Sequence, residues 1–398
     1  MTKQVQDAYI VAATRSPVGK APRGMFRNVR PDDLLAHVLK AALNQCQGLD
    51  PLTIDDVIVG CAMPEAEQGM NVARVALLLA GLPNSVSGMT INRFCSSGVQ
   101  AVALAADRIR LGEADVMIAA GTESMSMLPM GGNKPSFSPD IFRNDNIAIG
   151  YGMGITAEKV AQQWSISREQ QDVFAAESHR RALQATDNGE FRDEITPYEV
   201  VEHVPDLVTR EIAERRRNAT ADEGPRRDTS VDGLAKLKPV FAAKGSVTAG
   251  NSSQMSDGAG AVVLMSEAAM KRFNLSPLGR FLGYAVAGVP PEIMGIGPVK
   301  AIPKVLRQTG LKIEDLDWIE LNEAFAAQSL AVIKDLGLDA AKVNPLGGAI
   351  ALGHPLGATG AVRTATVLHG MRRRKLRYGM VTMCIGTGMG AAGVFESL

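Results

Sequence analysis

Short apolar runs alternate along this chain with stretches whose apolar residues recur at helical spacing. AYIVAA, ADVMIAAGTES, AGAVVLM and YGMVTMCI read as buried strands. VQAVALAADRIR, QQDVFAAESHRRALQA and NEAFAAQSLAVIKDL read as amphipathic helices, the second opened by a capping box at Ser167 and Gln170. Buried strands in alternation with helices predict parallel-rich sheets covered by helices. In such sheets, sites gather where strands end and helices begin.

The pattern also repeats. GLDPLTIDDVIVG resembles GLKIEDLDWIELN, with Ile54 and Asp56 matching Ile313 and Asp315 at an offset of 259 residues. The same offset carries Cys95 onto His354 and Gly98 onto Gly357. Upstream, LKAALNQCQGL matches PKVLRQTGL once a three-residue insertion is allowed. Shared order across whole segments points to a duplication. The expected organisation is a first half over residues 1–121 that resumes at 248–270, and a second half over 271–398. The polar, methionine- and arginine-rich excursion over 122–247 covers the site.

Composition narrows the classes. Net charge is zero, from 42 basic and 42 acidic residues, which excludes a nucleic-acid binder that relies on bulk charge. No apolar stretch is long enough to span a membrane. The first residues lack a signal-peptide pattern and the last three, ESL, are not a peroxisomal address, so the expected compartment is the cytoplasm. The four cysteines, Cys46, Cys61, Cys95 and Cys384, have no metal-type spacing and predict free thiols.

Two of those thiols stand where strands break. Cys95, in INRFCSSGVQA, precedes a helical pattern, and a helix N-terminus favours thiolate. Cys384, in CIGTGMG, precedes a loop where Gly386 and its neighbours let backbone N–H groups approach a substrate oxygen. His354, in GHPLGATG, is the repeat mate of Cys95 and suits the base that takes its proton. Asn322, opening NEAFA, reads either as a helix cap or as a side chain orienting a water in an oxyanion hole. Cys46 and Cys61 lie inside regular patterns and read as core.

Together NRFCSSGVQA, VTAGNSSQMSDGA, NEAFAA, GGAIALGHPLGATGA and CIGTGMGAAGVFE resemble the thiolase family in order and spacing, over essentially the whole chain. The resemblance implies duplicated βαβαβαββ halves in a five-layered α-β-α-β-α fold with an inserted loop domain. It implies Claisen-type chemistry on 3-oxoacyl-CoA, with no metal, no permanently bound cofactor, and coenzyme A as co-substrate. Cys95 becomes the nucleophile, Cys384 the acid and base at the carbon beside the thioester, and His354 the activator of Cys95. Asn322 holds a water, and the N–H groups of Cys95 and Gly386 form a second oxyanion hole.

Ser253, Arg226, Ala324, Phe325 and Met153 are the implied contacts to CoA. Gly152 stands where acetoacetyl-CoA thiolases resemble YHMG, so a degradative enzyme of fatty-acid β-oxidation with broad chain-length range is expected. The alternatives are an acetoacetyl-CoA thiolase, a decarboxylating ketoacyl synthase, and a silent acyl-CoA binder. A homodimer or homotetramer is implied, the latter through the methionines near residues 125–131, and so are partner enzymes of β-oxidation.

Overall fold

The computed structural model describes residues 5–143 and 149–398, so the ends of the ranges expected above that fall on 1–4 and 144–148 lie outside the described residues. The first half runs β1 (Ala8–Arg15), β2 (Gly19–Lys20), α1 (Pro31–Gln45), β3 (Asp56–Gly60), α2 (Val72–Leu79), β4 (Ser87–Ile91), α3 (Ser97–Arg110) and β5 (Val116–Ser124). An excursion follows, with α4 (Met153–Gln163), α5 (Arg168–Asp187), the hairpin β6 (Tyr198–Pro205) and β7 (Ile212–Ala219), and α6 (Val231–Ala235). The chain returns with β8 (Ser256–Met265) and α7 (Glu267–Arg272). The second half holds β9 (Gly279–Gly288), α8 (Gly297–Thr309), β10 (Trp318–Leu321), α9 (Ala326–Leu336), α10 (Ala349–Leu352), α11 (Leu356–Arg374), β11 (Tyr378–Ile385) and β12 (Met389–Ser397).

Hydrogen bonding joins the strands in the order β10-β11-β12-β9-β1-β8-β5-β3-β4, with β2 attached to β8. The two halves are mirrored in this order. β4 and β3 run parallel to β5; β8 is antiparallel to both of its neighbours, β5 and β1, so β1 runs in the direction of β5. β10 runs parallel to β11, which is antiparallel to β12, then β9. Only a short antiparallel pairing, Ala8–Ile10 with Gly279–Phe281, links the halves edge to edge.

Strand alternation explains the layers. Val57 and Val59 face a core shared with α1 and α2, whereas Ile58 faces one shared with α3. In the second half, Ile319, Leu321 and Met380 face α8, whereas Trp318, Val381 and Met383 face α11. Both sheet faces are therefore buried, as near-continuous apolar strands require. Helices α3 and α11 form the middle layer: α11 touches β5 and β8 on one side and β10 and β11 on the other. They approach so closely that a Cβ at Gly360 would lie 2.0 Å from the Val99 nitrogen, and one at Gly98 2.5 Å from the Ala361 nitrogen. The result is the five-layered arrangement expected from the sequence.

The duplication holds, but the register of its first part does not. Asp55 accepts the N–H groups of Asp115 and Val116, and Asp317 accepts those of Arg377 and Tyr378. Gly48 and Gly310, both left-handed and each just past a helix (α1 and α8), share the same spacing of 262 residues. Structural equivalence thus pairs Asp56 with Trp318, not with Asp315. The offset of 259 returns only at α3 and α11, which begin at Ser97 and Leu356. The three-residue difference falls after β3 and β10, in loops where length is free to vary.

Candidate active site

The thiol of Cys95 is positioned by a loop that is tied at each step. After β4, Asn92 Oδ1 accepts the Phe94 N–H at 2.8 Å. The Ser97 hydroxyl accepts the Arg93 N–H at 2.8 Å and donates to the Phe94 carbonyl at 2.7 Å. These bonds hold Phe94 in the left-handed region, at φ 43°, a conformation that costs on the order of 1 kcal/mol or more for a bulky residue. Cys95 follows in a 3-10 turn, half-buried, immediately before α3.

Cys384 lies near the end of β11, paired with Gly390 of β12 and fully buried. Its neighbours are Met153, Ala157, Val247, Met294, Ala324 and Phe325. The strand then turns through Gly386, Thr387 and Gly388, the last two in the left-handed region. The N–H groups of Gly386 and of Cys95 itself lower the pKa of the Cys95 thiol.

Asn322 and His354 meet from the second half. Asn322 follows β10, its N–H on the Thr382 carbonyl at 2.9 Å. His354 sits between α10 and α11, and its N–H is shared between the Gln254 carbonyl at 3.2 Å and the Ser256 hydroxyl at 3.1 Å. Asn322 Nδ2 is 3.3 Å from His354 Nε2. Asn322 Oδ1 is buried without a partner, so one strong acceptor is left for a substrate or a water.

The electrostatics overturn one expectation. A helix N-terminus was expected to favour thiolate, yet burial pushes the Cys95 thiol up to about 11, helped by the Glu123 carboxylate and opposed by the two N–H groups. Burial also raises Cys384 well above the usual thiol range, and the Cys95 charge adds to it. Burial, then Arg363, holds His354 down at about 3. Both shifts favour the neutral forms, the Cys95 thiol and the His354 imidazole.

Two carboxylates frame this site and were not singled out in the sequence. Glu123, ending β5, accepts the N–H groups of Ala62, Met63 and Gly357 and the Gln68 amide. It thereby ties the start of α11 to the first half. Glu323 accepts from Ser178, Asn344 and the Ile350 N–H, fixing the glycine turn that leads to His354. Both lie at the ends of strands that point at the site, which was the available signal.

Of the expected CoA contacts, four fall together. The Ser253 N–H donates to the Ala324 carbonyl at 2.9 Å, Ser252 pairs with Phe325, and Met153 packs with Ala324 and Phe325 around Cys384. Arg226 does not join them. Its guanidinium is exposed and spans Asp228, and its N–H is on His179. Among the described residues, no cluster of three or more His, Cys, Asp or Glu side chains could hold a metal ion, and no helix is long and apolar enough to cross a membrane.

Two thiols, an imidazole and an amide thus come from elements of both duplicated α/β halves. The thiolase N-terminal domain model matches residues 8–268 and the thiolase C-terminal domain model residues 275–397. The chain belongs to the thiolase family and is an acyltransferase. It is 50% identical over 399 residues to the 3-ketoacyl-CoA thiolase of Bacillus subtilis, covering 98% of this chain and 100% of that one. It is 48% identical to the peroxisomal 3-ketoacyl-CoA thiolase A of Rattus norvegicus, over 98% of this chain and 88% of that one. The crystal structure of human mitochondrial 3-ketoacyl-CoA thiolase superposes with a TM-score of 0.88 at 39% identity, covering 99% of each chain. That of the Bacillus anthracis acetyl-CoA acetyltransferase does so with 0.89 at 41%, covering all of both.

Proposed function

We propose that the protein is a 3-ketoacyl-CoA thiolase that uses coenzyme A to cleave 3-oxoacyl-CoA to acetyl-CoA and a shortened acyl-CoA. Two pairings support this reading: Cys95 lies near enough to Cys384 for its charge to raise that thiol, and Asn322 Nδ2 lies 3.3 Å from His354 Nε2. Cys95 Sγ attacks the keto carbon as its proton passes to His354. The oxygen gathers charge against the N–H groups of Cys95 and Gly386, a role supported by their lowering of the Cys95 thiol. The carbon–carbon bond breaks, and the thiol of Cys384 protonates the departing acetyl-CoA carbanion. The thioester oxygen of that fragment rests on His354 Nε2 and on a water held by Asn322. The thiol of a second CoA then takes the acyl group from Cys95.

Ser253, Ala324, Phe325 and Met153 line the pantetheine path beneath the excursion over 122–247, and Arg226 serves the nucleotide end once it is released from Asp228. Chain length is set beside Met153. Gly152 is exposed and a Cβ there would meet nothing within 4 Å among the described residues, so the bulk of a histidine is missing beside Met153. We place the enzyme in the cytoplasm, as a homodimer or tetramer in fatty-acid β-oxidation, and light scattering that found an active monomer would overturn the assembly.

The deciding assay follows loss of 3-oxoacyl-CoA absorbance on adding CoA, with C4, C8 and C16 substrates. Cleavage of the longer chains, abolished in Cys95→Ser, is expected. Cleavage of C4 alone would make the enzyme an acetoacetyl-CoA thiolase. Gly152→His is expected to suppress C8 and C16 cleavage about 10-fold or more while sparing C4, since added bulk beside Met153 excludes by overpacking.

A further inference from the structure

Helix α11 carries three buried threonines that use their hydroxyls differently. Thr364 donates to the Gly360 carbonyl one turn back at 2.7 Å, and the Thr366 hydroxyl lies 2.9 Å from Glu194 Oε1 and 3.2 Å from the Val362 carbonyl one turn back. That back-bond is an ordinary resting place for a helical threonine. Thr359, 1% exposed in the first turn, turns its hydroxyl away to His354 Nδ1 at 2.7 Å.

We propose that Thr359 is the positioning residue of His354, a two-way hydrogen-bond partner that holds the ring in one orientation while Nε2 alternates between lone pair and N–H. The inference rests on the reading of His354 as both the activator of Cys95 and a donor to the thioester oxygen. Those two tasks need opposite states of Nε2. With Nε2 as the base, the ring proton is on Nδ1 and the Thr359 oxygen accepts it. Taking the Cys95 proton leaves the ring protonated at both nitrogens, with Nε2–H the oxyanion donor and Nδ1–H still on the Thr359 oxygen. Release of the Nδ1 proton to water then gives a neutral ring with bare Nδ1, to which the Thr359 O–H donates. A hydroxyl has one donor and two acceptor lone pairs and rotates between these roles, keeping its own proton throughout. A carboxylate in its place only accepts, and would pin one tautomer. The first turn of α11, tied through Gly357 to Glu123, gives the hydroxyl a fixed base.

Thr359→Val removes the hydroxyl and keeps the shape. With C8 3-oxoacyl-CoA, kcat is expected to fall about 10- to 100-fold, within the range of a general base's contribution, with KM within about threefold. Thr359→Ser is expected to restore kcat to within about threefold of the wild type, because it returns the hydroxyl. In protein labelled with 15N-histidine, with His354 assigned by the resonances missing from His354→Asn, the Nδ1 signal is expected to move in Thr359→Val and to return in Thr359→Ser. A Thr359→Val enzyme with kcat unchanged, an unmoved Nδ1 signal, or a serine variant as impaired as the valine one would each overturn the proposal. If the wild type cleaves no 3-oxoacyl-CoA, the functional reading fails instead, and the Nδ1 signal alone decides whether this hydroxyl holds the ring.

Discussion

The chemistry at residue scale is governed by burial more than by helix ends. Cys95 stands at the helix N-terminus that its sequence promised, and still titrates at about 11, because desolvation and the Glu123 carboxylate outweigh the local N–H groups. Glu123→Gln is expected to lower the pH midpoint of Cys95 alkylation by iodoacetamide by about half a unit to one unit. It is also expected to cost about 1–3 kcal/mol, since an amide group cannot accept all the N–H donors gathered on the carboxylate; urea denaturation reads this. An unchanged alkylation midpoint would remove Glu123 from the account. Stability should also report His354. Its folded-state value of about 3 lies below the unfolded 6.5, so the unfolded chain takes up a proton between those limits that the folded one refuses. Stability from this group is therefore lost as pH falls below about 6.5. His179, held down at about 4, acts in the same direction. Glu320, pushed up to about 7, acts oppositely: its proton is held in the fold, and stability is lost as pH rises from the unfolded 4.5 toward 7. Comparing wild type with His354→Asn cancels the other two. The variant should lose less stability on acidification, by on the order of 2 kcal/mol at about pH 4.5. Parallel stability curves would contradict the neutral, buried imidazole.

Elements were legible where periodicity and glycine spacing had one physical cause. The strand carrying Cys384 read correctly, because a buried strand must end in small residues to turn, whereas the strand read up to Cys95 stops four residues earlier, at Ile91, and Cys95 lies in a 3-10 turn. The equivalence of Cys95 and His354 read correctly because α3 and α11 start at matched points. What did not read was the register between Asp56 and Asp315. Asp56 opens β3 and accepts only the N–H of its neighbour Val57, and Asp315 lies in a 3-10 turn and accepts that of Lys312, whereas Asp55 and Asp317 carry the matched long-range bonds. Glu123 and Thr359 were also missed, because their partners lie far away or one turn along a helix whose phase depends on the cap. The crossing of α3 and α11 yields a sharp contrast. Gly360→Ala would put a methyl 2.0 Å from backbone nitrogen, with no flexible side chain to yield. It should cost about 1–3 kcal/mol or more by chemical denaturation. Gly152→Ala meets open space, and should change stability by less than about 0.5 kcal/mol. Equal effects would mean that the middle layer is not as tightly packed as the Gly98–Gly360 contact requires.

At the scale of the molecule, the duplication suggests two separable halves, but the packing argues for one unfolding unit. From Leu356 to Met371, every residue of α11 except His369 is buried, although a helix lying on one sheet needs to bury only one face. The second burial comes from the other half: α11 rests on β5 and β8 as well as on β10 and β11. Glu123 and Gly357 bind across the same boundary, as do Arg15 and Thr366 through Glu194. Unfolding the second half alone would take Thr366 from the buried Glu194 and uncover the apolar faces of β5 and β8, a combined cost comparable with the stability of a whole domain. Trp318 gives a clean probe, because it is fully buried in the second half and its indole N–H donates to Glu320 at 2.7 Å. In a Trp164→Phe background, Trp318 fluorescence reports the second half alone, while far-UV circular dichroism reports all helices and strands. The two are expected to give one coincident urea transition. A fluorescence midpoint well below the dichroism midpoint would show the second half melting first. The shared helix layer would then be a contact between independent domains rather than the common core that holds Cys95 and His354 in one site.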